Sequence, residues 1–208
     1  QMKKVLQIAL LIAIVGLGYL LYKSIAKPIQ YEDEQAKRNG KVIERLKDIR
    51  AAQVAYKSEF GKYTGSFDTL VNFVKTGHFN VEQRIGSADD SVAVAKGLLK
   101  RIKVQVRVLD SLFKGNTARV DSLPYIPYGG GAKFEMGAGE IMTASKVPVK
   151  VFQALAPDSI IFRSFVIDDE DFKQILINKT YGKKKADKYP GLKVGSLTEA
   201  TNNAGNWE

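Results

Sequence analysis

The chain has 208 residues, with 32 Lys and Arg against 22 Asp and Glu, a formal charge of +10 at neutral pH and an apolar content of 45% that fits a folded chain. It has no cysteine and a single histidine, which excludes disulfides, thiolate metal sites, cysteine nucleophiles and multi-histidine metal centres. The length fits one domain, or one domain with an appendage.

The first element is VLQIALLIAIVGLGYLLY, Val5 to Tyr22, in which Gln7 is the only strongly polar residue. At about 1.5 Å rise per residue this run spans roughly 27 Å, near the lower limit for crossing a bilayer. Its membrane-anchoring residues are Val5, Leu6, Leu10, Leu11, Ile14, Leu17, Leu20 and Tyr22, and membrane lipid is the partner they imply. Lys3 and Lys4 precede the run, Lys23 and Lys27 follow it, and Tyr19 and Tyr22 stand at one end, where amphipathic rings favour the headgroup level. A cleaved signal peptide, with Ser24 and Ala26 as the small residues before the cut, is the competing reading; an apolar run of this length favours a retained anchor. The flanking lysines balance, so charge does not orient the span. The short segment ahead of it fits a signal anchor in a bacterial inner membrane, with the rest of the chain outside the cytoplasm.

Residues 1–27 are thus expected to form the anchor, 28–77 a helical spine and 78–208 a β-rich head. Beyond Pro28, the acids Glu32, Asp33 and Glu34 suit a helix N-terminus. Val42, Leu46, Ile49, Gln53, Tyr56 and Phe60 then recur at spacings of three and four, one face of an amphipathic helix whose other faces carry Lys41, Glu44, Arg45, Lys47, Asp48 and Arg50. A coiled coil would need more heptads, and Gln53 weakens such a seam. Gly61 ends the helix, and Ser66 caps a second one from Phe67 to Thr76 that stops at Gly77, with Phe67, Leu70, Val71 and Val74 as its apolar face.

An apolar helix, a proline near its end, a continuation closing in AAQVAYKSEFGKY and a short helix with SFDTLVNF together resemble the N-terminal half of type IV pilins and type II secretion pseudopilins. The resemblance covers about residues 5 to 77 and rests on Tyr56, Gly61, Tyr63 and Leu70. With Leu46 and Ile49 these are the expected spine and hinge residues, the aromatic pair anchoring the glycine turn on the sheet of the head. The family's processing site, and the glutamate near the start of its apolar helix, have no counterpart among Gln1, Met2, Lys3 and Lys4, so pairing through that glutamate is not implied. What the resemblance implies is a non-enzymatic, membrane-anchored structural or assembly subunit of a pilus-like or secretion apparatus, with protein partners in an envelope assembly and self-association among them. The alternative is a membrane-tethered, extracytoplasmic module that binds a protein or an envelope polymer.

In the head, RIKVQVRVL sets Ile102, Val104, Val106 and Val108 against Arg101, Lys103, Gln105 and Arg107, a half-buried strand with a basic outer face. A solvated sheet face accounts for those charges better than nucleic acid or anionic lipid. Further strands are expected at 133–136, 147–154 and 159–167, with PYIPYGGG and MGAG as turns between them. The acids Asp168 to Asp171 suit the N-terminus of the helix that follows rather than a metal site. The end of the chain, from Lys183 onward, is expected to be irregular, laid on the head by Leu192, Val194 and Trp207.

Signs of chemistry are sparse. His78 stands alone in a helix exit, the glycines at 129–131 lack the Lys-Ser or Lys-Thr of a phosphate loop, and no serine lies in a Gly-x-Ser-x-Gly elbow. No catalytic residue, cofactor, metal or small-molecule substrate is indicated. The basic charges are spread along the chain, and the cluster Lys183 to Lys185 lacks interleaved aromatics, which argues against a nucleic-acid partner.

Overall fold

The computed structural model of the chain describes the backbone of residues 2–85 and 100–208, and the side chains of residues 2–78 and 105–208. It is α+β: a long N-terminal helix carries a head with a three-stranded antiparallel sheet. Helix α1 (Met2–Phe60) runs through Pro28 without a break. A proline inside a helix removes one backbone hydrogen bond and costs about 3 kcal/mol. The next turn offsets that by packing Tyr31 fully into the head. Glu32, Asp33 and Glu34 therefore do not start a helix, contrary to the sequence expectation. Glu34 instead accepts a 2.7 Å hydrogen bond from Arg38 one turn on, an i,i+4 pair that supports the helix interior.

From Tyr31 onward one face of α1 enters the core, and the expected stripe Val42, Leu46, Ile49, Gln53 and Tyr56 is buried. Phe60 departs from it at 52% exposed, because it closes the helix and packs only one side of its ring, against Tyr56 and Phe73. Gln53 is fully buried and clamps the turn beyond the helix: its amide donates to the Thr64 carbonyl at 2.6 Å and its carbonyl accepts from the Thr64 amide at 3.1 Å.

At that turn Gly61 has φ +69°, and its N–H donates to the Lys57 carbonyl at 2.8 Å. Helix α2 (Phe67–Thr76) follows, with the Ser66 hydroxyl accepting from the Thr69 amide and Leu70 buried on its inner face. Tyr63 packs with its ring tilted 53° to that of Phe152 in the sheet, centroids 4.9 Å apart, and its hydroxyl accepts from Asn203. Tyr56, expected on the sheet as well, packs instead on α2, edge-on to Phe73 at 5.2 Å. Tyr56→Ala should then cost about 3–5 kcal/mol by opening a cavity under α2. Gly61→Val should cost about 1–3 kcal/mol through backbone strain alone, since an added Cβ there would meet nothing within 4 Å. His78→Ala, at an exposed site, should leave the melting temperature nearly unchanged. Thermal melts of the three variants check this, and unaltered melting of the first two would make the turn a mere surface feature.

Strands β1 (His78–Ile85) and β2 (Lys100–Arg107) form an antiparallel pair with His78 opposite Arg107. The alternation expected along β2 lies largely outside the described side chains; at its end Gln105 and Arg107 are exposed and Val106 half-buried. Val108, expected in the strand, is buried as the first residue of helix α3 (Val108–Phe113), which leads to α4 (Thr117–Asp121). The main sheet has the order β3 (Glu135–Met142), β4 (Pro148–Pro157), β5 (Gly191–Gly195).

Three expectations for the head need correction. The MGAG segment at 136–139 is strand, not turn, paired with Ala154 to Val151 of β4; a Cβ on Gly137 would come within 2.9 Å of the Leu197 side chain, so the small residue marks a close approach inside the sheet. Residues 159–167 are helical, as α5 (Asp158–Ile161) and α6 (Arg163–Val166), because the buried Ile161, Phe162 and Val166 recur at helical rather than alternating spacing. The tail from Lys183 is less irregular than expected: it completes α7 (Glu170–Lys185) and supplies β5. Leu192 and Val194 are buried there, and Trp207 packs against the same core.

Candidate functional site

Two regions of α1 differ in what they touch. The hydrophobic residues singled out in the apolar run, Val5, Leu6, Leu10, Leu11, Ile14, Leu17, Leu20 and Tyr22, are all exposed, between 58% and 72%. Within this part of α1 an 18-residue window has a mean hydropathy of 2.3 and none of it is buried by the other described residues. A core helix of a water-soluble domain hides its apolar face, whereas this one presents apolar side chains all round. Among the described residues it is the one helix long and apolar enough to cross a membrane.

The head reaches down α1 to the end of that run. Asp169 caps α7, its carboxylate accepting from the amides of Asp171 and Phe172 at 3.0 and 3.2 Å, as the acidic run predicts. The same carboxylate binds Lys27, while Asp171 pairs with Lys23 at 2.7 Å. The Lys27 ammonium also lies 4.3 Å above the Phe172 ring. A groove of about 520 Å³ opens beside these pairs, lined by Tyr19, Tyr22, Lys23 and Lys27 of α1 and by Asp168 to Asp171.

One turn further on, Tyr31 is enclosed by Phe162, Phe165 and Phe172, with ring centroids 5.6, 6.0 and 6.4 Å away, and Lys179 stands over its ring. Its hydroxyl is buried without a partner among the described residues. Burial first, and the Asp158 carboxylate second, push that phenol well above its ordinary range, so it stays protonated. Arg38, also buried, binds Glu34, the Ile161 carbonyl and the Ser164 hydroxyl, the last two at 3.0 Å, and stacks over Tyr128. Asp158, 2% exposed, pairs with Lys183 at 2.5 Å. The junction is therefore a ladder of charge pairs around an aromatic plug, holding α5, α6 and α7 on α1 between Lys23 and Arg38.

Lys27 beside Asp169, with further help from the Phe172 amide, holds the Asp169 carboxyl below the usual carboxylate range, and Arg38 does the same for Glu34. A carboxyl whose pKa is depressed by folding stabilises the fold above its unfolded pKa and ceases to do so as pH falls through the folded value. Stability should thus drop as pH goes below about 4, and less steeply in the double variant Glu34→Gln, Asp169→Asn. Denaturant melts of both proteins across pH 2 to 6 check this; parallel curves would remove these two groups from the acid response.

Among the described residues no group of three or more His, Cys, Asp or Glu could hold a metal ion. A second large groove, about 640 Å³ between α1 and α4, is lined by Arg119, which donates to Asp48 at 2.7 and 2.8 Å, and by Arg45, which donates to the Ser122 carbonyl.

The structure brings together Tyr56, Gly61, Tyr63 and Leu70 at the spine turn, and Leu46 and Ile49 beneath the head. Lys23, Lys27, Tyr31 and Arg38 were missed as junction residues. Arg38 could have been noticed, since a charged residue on the buried face, with an acid four positions before it, marks an internal pair. Its partners 123 and 126 positions away could not. Neither a family model, nor a curated protein, nor a solved structure matches the chain.

Proposed function

We propose that this chain is a non-enzymatic, single-pass membrane protein that serves as a structural or assembly subunit of a pilus-like or secretion apparatus. It sits in a bacterial inner membrane with its head outside the cytoplasm. The observation that carries the proposal is that one uninterrupted helix is both the apolar span and the core of the head. No linker separates the two, and the Lys23, Lys27, Tyr31 and Arg38 contacts fix the head at the point where α1 leaves the apolar run. A force or packing interaction on the span therefore acts on the head as on a rigid body, which suits a subunit set in an assembly. The resemblance of residues 5–77 to pilins and pseudopilins supports the same reading.

The chain lacks cysteine, so single cysteines introduced along the span report its neighbours without background. With cysteines placed one at a time from Leu10 to Leu20 in membranes of the producing cell, oxidation should give crosslinked dimers recurring every three to four residues. Uniform failure to crosslink at every position would leave the span alone in lipid and favour a membrane-tethered binding module.

A further inference from the structure

The two sides of α1 leave the apolar run at different heights. On the side facing α7, the last apolar residues are Tyr19 and Leu20, and Lys23 and Lys27 then meet Asp171 and Asp169. On the opposite side, two residues or about 200° around the helix from these lysines, Ile25 and Ile29 are 64% and 54% exposed. They continue the exposed stripe of Leu21 and Tyr22, and the first charges on that side are Glu32 and Asp33, both exposed. The apolar surface therefore ends near residue 20 on the head side and near residue 29 on the other.

We propose that the bilayer covers Ile25 and Ile29, so that α1 enters the membrane obliquely, with the head on its upper side. The proposal rests on the membrane reading above. From Val5 to Ile29 the outer face is about 37 Å long, and fitting it to a hydrocarbon core of about 30 Å needs a tilt of roughly 35°. The carboxylates give a second reason. Asp168, Asp169, Glu170 and Asp171 line the same groove as Tyr19 and Tyr22, so an upright span would set four acids at the edge of the hydrocarbon, where charge is strongly disfavoured. Tilting toward the Ile25 and Ile29 side lifts that groove into the headgroup layer and leaves the ammoniums of Lys23 and Lys27 on their head partners.

The full chain, carrying one nitroxide-labelled cysteine at Ile14, Ile25, Ile29 or Asp33, is placed in phosphatidylethanolamine–phosphatidylglycerol vesicles at a low protein-to-lipid ratio. Accessibility is read with oxygen, which concentrates in lipid, and with a water-soluble nickel chelate. The expected result is high oxygen and low nickel accessibility at positions 14, 25 and 29, with the reverse at 33. Nickel accessibility at 29 equal to that at 33 would overturn the oblique geometry while leaving the span in place. Low accessibility to both reagents at 25 and 29 would also overturn it, since protein and not lipid would then cover the stripe. Nickel accessibility at 14 would instead remove the membrane reading itself.

Discussion

A chain beginning at Lys27 is expected to leave the membrane fraction entirely and yet keep a folded head. Val5 to Tyr22 contains eleven Val, Leu and Ile residues. At about 1.5–3 kcal/mol for each aliphatic side chain moved from water to an apolar phase, lipid holds this segment by on the order of 20 kcal/mol. None of that energy is shared with the described part of the head, because no described residue buries the apolar window. Truncation removes the Lys23–Asp171 pair, both of whose side chains are 42% exposed, and an exposed pair is worth about 1 kcal/mol or less. Lys27 with Asp169, Tyr31 and Arg38 all remain. Carbonate extraction and vesicle flotation of the full and shortened chains, with a thermal melt of the shortened one, test both halves of the expectation. Recovery of the intact chain in the soluble fraction would remove the membrane assignment. An unfolded shortened chain would show that the span supports the head in a way its exposure does not reveal.

The elements legible in the sequence are those whose information is local. The apolar span, the stripe from Val42 to Tyr56, the Gly61 turn, the Ser66 cap and the Asp169 cap each depend on residues within a few positions of one another. What could not be read was decided by distant neighbours. Gly137 reads as a turn residue until Leu197, sixty positions on, occupies the space a Cβ would need. Residues 159–167 are apolar enough for a strand, and they become helical because Tyr31 and the sheet flank them on two sides with Ile161, Phe162 and Val166 turned inward. β5 is short and glycine-bounded. Gly195, with φ +70° and the Phe152 carbonyl 2.1 Å from a would-be Cβ, is needed because the strand ends against its neighbour's backbone. The same limit applies to the site: that Val5 to Tyr22 is long and apolar enough to cross a membrane is read from composition, but that the head descends to Tyr19 follows only from the meeting of Lys23 and Lys27 with Asp171 and Asp169.

Tyr31 and Arg38 should be sensitive positions, and opposite signs are expected for two changes at the first. Tyr31→Ala empties a fully buried site ringed by three phenylalanines and should cost about 3–5 kcal/mol, as large aromatic truncations do. Tyr31→Phe keeps the ring and removes a buried hydroxyl with no hydrogen-bond partner among the described residues, whose desolvation costs about 1–3 kcal/mol. It should therefore raise stability or leave it unchanged. Arg38→Ala strips the Ile161 carbonyl of a donor and leaves the partly exposed Glu34 carboxylate only Lys37 at 3.5 Å, and loss of a buried hydrogen-bond donor costs about 1–3 kcal/mol. Arg38→Lys should recover only part of this, because a single ammonium cannot reach Glu34, the Ile161 carbonyl and the Ser164 hydroxyl from one planar fork or stack over Tyr128 in the same way. For a chain of this size each kcal/mol shifts the melting temperature by about 2–4 °C, so both alanine variants lie outside measurement error. Melts of the four variants in the soluble chain that begins at Lys27 decide the matter. A lower melting temperature for Tyr31→Phe would mean that the hydroxyl has a partner, with the nearby Asp158 carboxylate, whose own Oδ1 is buried and unpaired among the described residues, as the group to substitute next.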